Sequence, residues 1–157
     1  MRFVPKVALA VVASNFLAAG EAPARVVPAG TTFQCTPTAV WDGDGPLWCA
    51  EGPKLRVAGV ASREIYGTCR DGHPCPRVGG VEARARLVRV LGGPKGKRPE
   101  GHVIVRSATM TCRSDGRAEG SRTAAWCVSP TIGDLSTAVV RAGAAVGWAL
   151  FWRGHRC

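Results

Sequence analysis

Short β-prone segments, each ended within a few residues by glycine, proline or aspartate, limit this chain to a small set of folds. The sequence Asp-Gly-Asp-Gly at residues 42–45 disfavours regular structure and permits the positive φ angles of a tight turn. A second turn, Glu-Gly-Pro at residues 51–53, separates the next two segments. We therefore predict five short strands, at residues 36–41, 47–49, 54–60, 102–105 continuing as 108–112, and 123–128.

Two other segments have the apolar spacing of an amphipathic helix. In residues 81–91 apolar positions recur every three or four residues with arginines between them, and residues 135–142 follow Asp134, a good N-cap residue. Three strands, a helix, two strands and a helix in this order are typical of an oligonucleotide-binding barrel. We expect an α+β fold, a five-stranded OB-fold-like β-barrel with two or three helices.

The amino terminus has the pattern of an export signal. Two positive charges precede an apolar run at residues 7–19, and small residues at 18–20 offer a cleavage site. The run is shorter than the roughly 20 residues of a membrane-spanning helix, so an uncleaved anchor is the less favoured alternative. We predict a secreted or periplasmic protein with a signal peptide (1–20), a linker (21–32) and one domain (33–157).

Seven cysteines, all beyond the leader, are consistent with an oxidising compartment. None of them forms a CxxC pair and the chain has three histidines, so a structural zinc site is a weak alternative. Spacing alone leaves the connectivity open, and an odd number leaves one thiol unpaired. Our expected pairs are Cys69 with Cys75 and Cys112 with Cys127.

The charge of the chain favours polyanionic partners. The full chain carries a net charge of +10, and removal of residues 1–20 leaves 19 basic and 11 acidic residues, a net charge of +8. A basic surface of this kind suits DNA or RNA as a substrate. We also expect the chain to be monomeric. Solubility or adhesion to an anionic envelope would explain the charge equally well.

Five charged residues occupy positions where phosphodiester chemistry could be built. Asp42 and Asp44 lie in the first turn, Arg56 on the third strand, Glu64 just beyond it, and Arg122 before the fifth strand. Guanidinium groups can bind phosphate oxygens with paired hydrogen bonds, and a carboxylate can accept a proton from attacking water. Aspartates in a tight turn suit a hard divalent cation.

These positions resemble the thermonuclease (staphylococcal-nuclease-like) family. The segments that carry the resemblance are Val40-Trp41-Asp42-Gly43-Asp44, Leu55-Arg56-Val57-Ala58-Gly59-Val60, Glu64, Gly120-Ser121-Arg122-Thr123-Ala124 and Val139-Val140-Arg141-Ala142-Gly143. They occur in the family's order between about residues 33 and 148. The resemblance implies an exported endonuclease of DNA or RNA with Arg56, Glu64 and Arg122 as catalytic residues and Ca²⁺ held by Asp44 and Asp42.

The chain also departs from the family pattern. Ala61 stands where the family usually has a metal-binding aspartate, and Gly120 stands where it commonly has a tyrosine. An alternative function is therefore an inactive nucleic-acid-binding or envelope interaction module. Structural alternatives are Asp44 as a turn residue, Arg56 in a salt bridge with Glu64, and Arg122 as a solvated cation. We interpret the five tryptophans mainly as packing residues and assign His73 and His155 no role.

Overall fold

The computed structural model describes residues 24–152 and 155. Within these residues the chain forms three helices, α1 (Gly80–Val90), α2 (Leu135–Arg141) and α3 (Ala149–Trp152). The strands are β1 (Thr32–Cys35), β2 (Pro37–Val40), β3 (Leu47–Cys49), β4 (Lys54–Val57), β5 (Val60–Ala61), β6 (Pro94–Lys97), β7 (Val103–Val105), β8 (Met110–Arg117), β9 (Arg122–Ser129), β10 (Gly133–Asp134) and β11 (Val146–Gly147).

One mixed sheet organises the fold. Its strands are ordered β1-β8-β9-β4-β3-β2-β7-β6, with β10 paired to β9, while β5 and β11 form a separate small sheet. The pairing of β4 with β9 is parallel, and the other pairings are antiparallel. The sheet curls into a half-barrel, so the fold is α+β and compatible with the OB-like architecture.

The prediction of five strands was wrong in number. The expected strand 54–60 divides into β4 and β5, because Gly59 has a φ of +69° that interrupts the extended backbone. The expected loop 93–101 contains β6, whose edge position tolerates its proline. β8 extends through the expected loop 113–120 to Arg117, with small polar residues at buried positions that hide the alternation of a strand.

Both predicted long helices are present. The buried side of α1 consists of Gly80, Ala83, Leu87 and Val88. The apolar spacing had predicted a face made of Val81, Ala85, Val88 and Leu91, and this prediction was wrong for its first half, since Val81 is 60% exposed and Ala85 is also exposed. The Asp134 carboxylate accepts a hydrogen bond from the Thr137 backbone N–H at 2.7 Å, which confirms Asp134 as the N-cap of α2. Both helices share one core with the sheet, and its largest fully buried residues include Leu47, Leu55, Leu87, Leu91, Met110 and Leu135.

Three disulfide bonds tie the described residues together. Cys69–Cys75 and Cys112–Cys127 confirm the expected pairs, and Cys35–Cys49 joins the ends of β1 and β3. This third pair was not predicted because its partners come together only through the sheet. Cys157 and the predicted signal peptide lie outside the described residues. The disulfides indicate an oxidising compartment.

No helix in the described part of the chain is long and apolar enough to cross a membrane.

The second half of the predicted linker is in contact with the sheet. The Val27 backbone N–H donates to Thr123 Oγ1 at 3.0 Å, and Ser114 Oγ donates to the Val27 carbonyl at 2.9 Å. Gly30 N–H donates to the Ser114 carbonyl at 2.8 Å. The segment immediately before β1 is therefore anchored on β8 and β9.

Candidate active site

The turn between β2 and β3 is pressed into the interior because it contains glycine at its centre. A Cβ at Gly43 would lie 2.7 Å from both the Ala83 Cβ of α1 and the Ala144 carbonyl oxygen, which leaves no space for a side chain. The flanking residues Asp42 and Asp44 are consequently buried, with 4% and 8% of their surface exposed. Their carboxylates thus face the protein and not bulk water.

Arg56 and the Ser62 backbone satisfy the Asp44 carboxylate. Arg56 Nη1 lies 2.6 Å from Asp44 Oδ2, and the Ser62 N–H donates to the same oxygen at 2.8 Å. Arg56 Nη2 also donates to the Val60 carbonyl at 3.2 Å. The ion-pair partner of Arg56 is therefore Asp44, where the structural alternative in the sequence had been Glu64.

Asp42 lacks a comparable cationic partner. Burial raises the pKa of Asp42 to about 8, and repulsion by Asp44, a side-chain hydrogen bond with Asp44 and repulsion by Glu64 act in the same direction. The Asp44 N–H donates to Asp42 Oδ1 at 3.3 Å and partly offsets these effects. Two acidic residues with one residue between them thus differ strongly in their surroundings.

Glu64 follows β5 in a short turn that the start of α1 holds in place. The Glu64 N–H donates to the Thr68 carbonyl at 2.9 Å and the Gly67 N–H donates back to the Glu64 carbonyl at 2.8 Å. At Gly80 a Cβ would lie 2.6 Å from the Glu64 carbonyl carbon, so the helix can approach only through glycine. This approach fixes the backbone from which the Glu64 carboxylate projects.

A chain of ion pairs connects Glu64 to Arg122. Arg70 Nε donates to Glu64 Oε1 at 2.6 Å, and Arg70 Nη1 contacts Glu119 Oε2. Arg122 Nη2 lies 3.0 Å from Glu119 Oε2, and Arg122 Nε donates to the Glu119 carbonyl at 2.8 Å. Burial lowers the pKa of Arg122, as does repulsion by Arg70 and Arg56, which shows that three guanidinium groups are crowded together.

These groups line one cavity of about 300 Å³, which we call the charged cavity. The parallel pairing of β4 with β9 sets Arg56 opposite Ala124, two residues from Arg122, and the turn after β5 supplies Glu64. The predicted residues Asp44, Arg56, Glu64 and Arg122 all line this cavity. Asp42 does not line it and instead borders a second cavity of about 480 Å³.

Sequence reasoning missed five charged or titratable residues that line the charged cavity: Arg70, His73, Asp115, Arg117 and Glu119. Arg70 and His73 lie in the loop that the Cys69–Cys75 disulfide closes, and the predicted bridge was the one signal that this loop has a defined shape. His73 packs against Trp148 with the rings tilted and their centroids 4.3 Å apart, and burial together with the charge of Arg56 lowers the pKa of His73. Glu119 precedes Arg122 by three residues, a spacing compatible with a local ion pair.

His155 also has a structural role that the sequence did not suggest. Its Nε2 lies 2.9 Å from Asp134 Oδ2, and its ring stacks on Trp126 with centroids 3.7 Å apart. Arg63, which follows the small sheet, donates to the Pro76 and Gly67 carbonyls at 3.0 and 2.8 Å. Both residues therefore stabilise chain segments near the cavity and do not line it.

The donor set for a metal ion consists of Asp42 and Asp44. Within the described residues, no group of three or more histidine, cysteine, aspartate or glutamate side chains is placed to hold an ion. A divalent cation at these two carboxylates would offset both the burial of Asp42 and its repulsion by Asp44, the two largest causes of its raised pKa. Such a site would need substrate phosphate and water as its remaining ligands.

The comparisons with known proteins add no family to this geometry. No family model, no curated protein and no solved structure matches the chain.

Proposed function

We propose that this protein is an exported, metal-assisted endonuclease that hydrolyses phosphodiester bonds of DNA or RNA. The observation that carries the proposal is that Arg122, which is remote in the sequence from Asp44, Arg56 and Glu64, lines the same cavity as these three residues. The resemblance of their motifs to the thermonuclease family supports the same function, and would make the half-barrel a thermonuclease-like variant of the OB fold. The disulfides support export.

In this proposal, the guanidinium groups of Arg56 and Arg122 bind the phosphate. Attack on a phosphodiester concentrates negative charge on the non-bridging oxygens, and arginine remains charged at every relevant pH. Arg56 and Arg122 would donate paired hydrogen bonds to these oxygens. The lowered pKa of Arg122 is relevant here, because an anion between the crowded guanidinium groups offsets their mutual repulsion.

Glu64 would act as the general base. Water is a weak nucleophile at neutral pH, and a carboxylate within hydrogen-bond distance accepts its proton as attack proceeds. The Glu64 side chain is 27% exposed and is hydrogen-bonded to Arg70. A phosphate that enters the cavity competes for the Arg70 guanidinium, and this competition leaves Glu64 Oε1 able to accept the proton.

Asp42 and Asp44 would hold the Ca²⁺ ion that the family resemblance implies. When bound, such an ion neutralises phosphate charge and orients the attacking water. Asp44 also holds Arg56 by the 2.6 Å ion pair, so this carboxylate positions the arginine that binds phosphate. Ala61 offers no carboxylate, and the protein's own ligand set is therefore small.

A second candidate function is binding of nucleic acid without cleavage. It is favoured by the engagement of the Asp44 carboxylate with both Arg56 and the Ser62 N–H, together with the alanine at position 61. This function predicts salt-sensitive binding, because release of counterions from the nucleic acid drives such association. An envelope interaction module would show neither cleavage nor polyanion binding.

A nuclease assay separates these functions. The purified chain is incubated with plasmid DNA and with RNA, in Ca²⁺ and in excess chelator, and binding is measured in parallel at two salt concentrations. We expect cleavage in Ca²⁺ that the chelator abolishes. Binding without cleavage in every divalent cation tested would replace the endonuclease with the binding module, and absence of both would overturn both.

A further inference from the structure

The second cavity, which we call the aromatic cleft, has side chains that the proposed chemistry does not use. It is lined by Trp41, Trp48, Lys54 and His102, and has a volume of about 480 Å³. It shares part of its wall with the charged cavity, namely Glu64, Arg70, Glu119 and Arg122. A ligand bound in the charged cavity therefore lies next to the aromatic cleft.

Three rings form the floor of the aromatic cleft. The centroid of Trp48 lies 4.1 Å from that of His102, and Trp41 lies 5.1 Å from His102 in an edge-on arrangement. The pairing of β2 with both β3 and β7 brings these residues together, since each lies on or beside one of these strands. None of these three residues is fully buried, so each keeps some exposed surface at the cleft.

Two cations lie over the same tryptophan. Lys54 Nζ lies 5.5 Å and the Arg98 guanidinium carbon 5.8 Å from the Trp48 ring centroid. Cations at these distances are attracted to the ring face, and they also attract an anionic ligand. The lining also contains acidic residues, of which Glu64 and Glu119 are paired with Arg70 and Arg122. The cations over Trp48 thus lie beside a flat apolar surface, which suits a planar group attached to phosphate.

His102 adds a polar group that has no partner. Its Nδ1 atom is buried and makes no hydrogen bond within the described residues. Burial lowers the pKa of His102, and so does the charge of Arg98, and both effects favour the neutral ring. A neutral imidazole offers one donor and one acceptor, and an unmade buried hydrogen bond costs free energy. One residue in the wall of the aromatic cleft therefore has an unsatisfied polar atom.

We propose that the aromatic cleft binds a nucleobase of single-stranded nucleic acid, stacked on Trp48 beside the phosphate held by Arg56 and Arg122. The placement of that phosphate rests on the proposed function. A base within a duplex is already stacked and paired, so the cleft accepts an unpaired base. Stacking on an aromatic side chain is sequence-tolerant, and the subsite binds any of the bases.

The test compares two ligands of equal charge in the presence of chelator, so that cleavage plays no part. One is a fluorescein-labelled oligothymidylate of about eight nucleotides, and the other is an abasic oligonucleotide of the same length. Fluorescence anisotropy gives the affinity of the full chain and of Trp48→Leu, Trp48→Phe and Trp126→Leu. Trp126 lines neither cavity and is the matched control.

We expect the wild-type chain to bind the base-bearing ligand roughly 5- to 150-fold more tightly than the abasic one. Trp48→Leu should lose this preference while its affinity for the abasic ligand stays unchanged. Trp48→Phe and Trp126→Leu should keep it. Equal wild-type affinity for the two ligands would overturn the base subsite, and so would a preference that survives in a folded Trp48→Leu variant.

The two proposals fail separately. Absence of Ca²⁺-dependent cleavage would overturn the endonuclease while the preference for base over abasic ligand would still support the cleft. Cleavage that proceeds with no such preference would overturn the cleft and leave the endonuclease intact. The ratio of the wild-type affinities for the base-bearing and abasic ligands tests the base subsite even if the Trp48→Leu variant does not fold.

Discussion

Two regions of the molecule use the same residue types in different surroundings. On the outer face of α1, Glu82 lies 2.9 Å from Arg86 and 3.0 Å from Arg89, and its side chain is 51% exposed. In the charged cavity, Asp44 lies 2.6 Å from Arg56, and their side chains are 11% and 15% exposed. The distances are similar, but water surrounds only the first set.

This difference in burial decides what each region can do. Exposed pairs on a helix are screened by solvent and salt, and they contribute little to stability. In the charged cavity, water is partly excluded and removal of one partner leaves a charge without compensation. The residues on α1 follow each other at helical spacing, whereas those of the cavity come from separate segments.

The largest expected difference between the regions is in catalysis. Glu64→Gln removes the proposed base and should reduce cleavage of plasmid DNA by about 10²–10⁴-fold. Glu82→Gln makes the same chemical change on α1 and should leave the rate unchanged. Initial rates in Ca²⁺ for the wild type and both variants provide the measurement. Equal rates for wild type and Glu64→Gln would exclude Glu64 as the base.

Removal of an arginine should lower the free energy of unfolding much more in the charged cavity than on α1. Arg56→Ala leaves the buried Asp44 carboxylate without its ion pair and should lower the free energy of unfolding by roughly 3–5 kcal/mol. Arg89→Ala removes an exposed partner of Glu82 and should produce no comparable loss. Urea unfolding at pH 7 with chelator compares the two. Similar unfolding midpoints for Arg56→Ala and Arg89→Ala would contradict the claim that burial makes the Asp44–Arg56 pair more important for stability.

The pH dependence of stability should reveal Asp42. Its pKa is 3.8 in its ordinary state and about 8 in the fold, so between these values the unfolded chain has released a proton that the folded chain retains. Ionisation therefore favours unfolding as the pH rises. Asp42→Asn keeps the acceptor oxygen for the Asp44 N–H and removes the titration.

We expect Asp42→Asn to gain stability relative to the wild type between pH 5 and pH 8, by at least about 1 kcal/mol. At pH 3 the Asp42 contribution to this difference should vanish, because the carboxyl is protonated in both states. Urea unfolding across this range in chelator gives the difference at each pH. A difference that does not change with pH would show that Asp42 titrates normally.

The smallest expected effect belongs to the α1 pairs themselves. Hydrogen bonding to Arg86 lowers the pKa of Glu82, so the pair favours folding above the ordinary carboxyl range and loses that effect as the pH falls. Because the pair is exposed, Glu82→Gln should shift the unfolding midpoint only slightly, and high salt should abolish the shift. A large shift of the unfolding midpoint that does not depend on salt would show that the Glu82–Arg86 pair contributes to stability as a buried ion pair does.

The sequence predicted those parts of the molecule that depend on close neighbours. The Asp134 cap, the presence of helix α1 and the Cys69–Cys75 bridge all follow from residues within one or two turns of chain. Strand number was wrong where a single residue or an edge position decided it, as at Gly59 and in β6. Propensity reports a local preference, whereas pairing and packing decide which segments join the sheet.

The residue types of the charged cavity and their order along the chain were thus fixed by the sequence alone. Only the tertiary structure decided that Arg56 pairs with Asp44, that Arg70 reaches Glu64, and that Asp42 is buried beside a second carboxylate. The reason is that charge interactions depend on distance and on exclusion of water. Both arise from the parallel β4–β9 pairing and from close approach at two glycines, contacts between residues remote in the sequence.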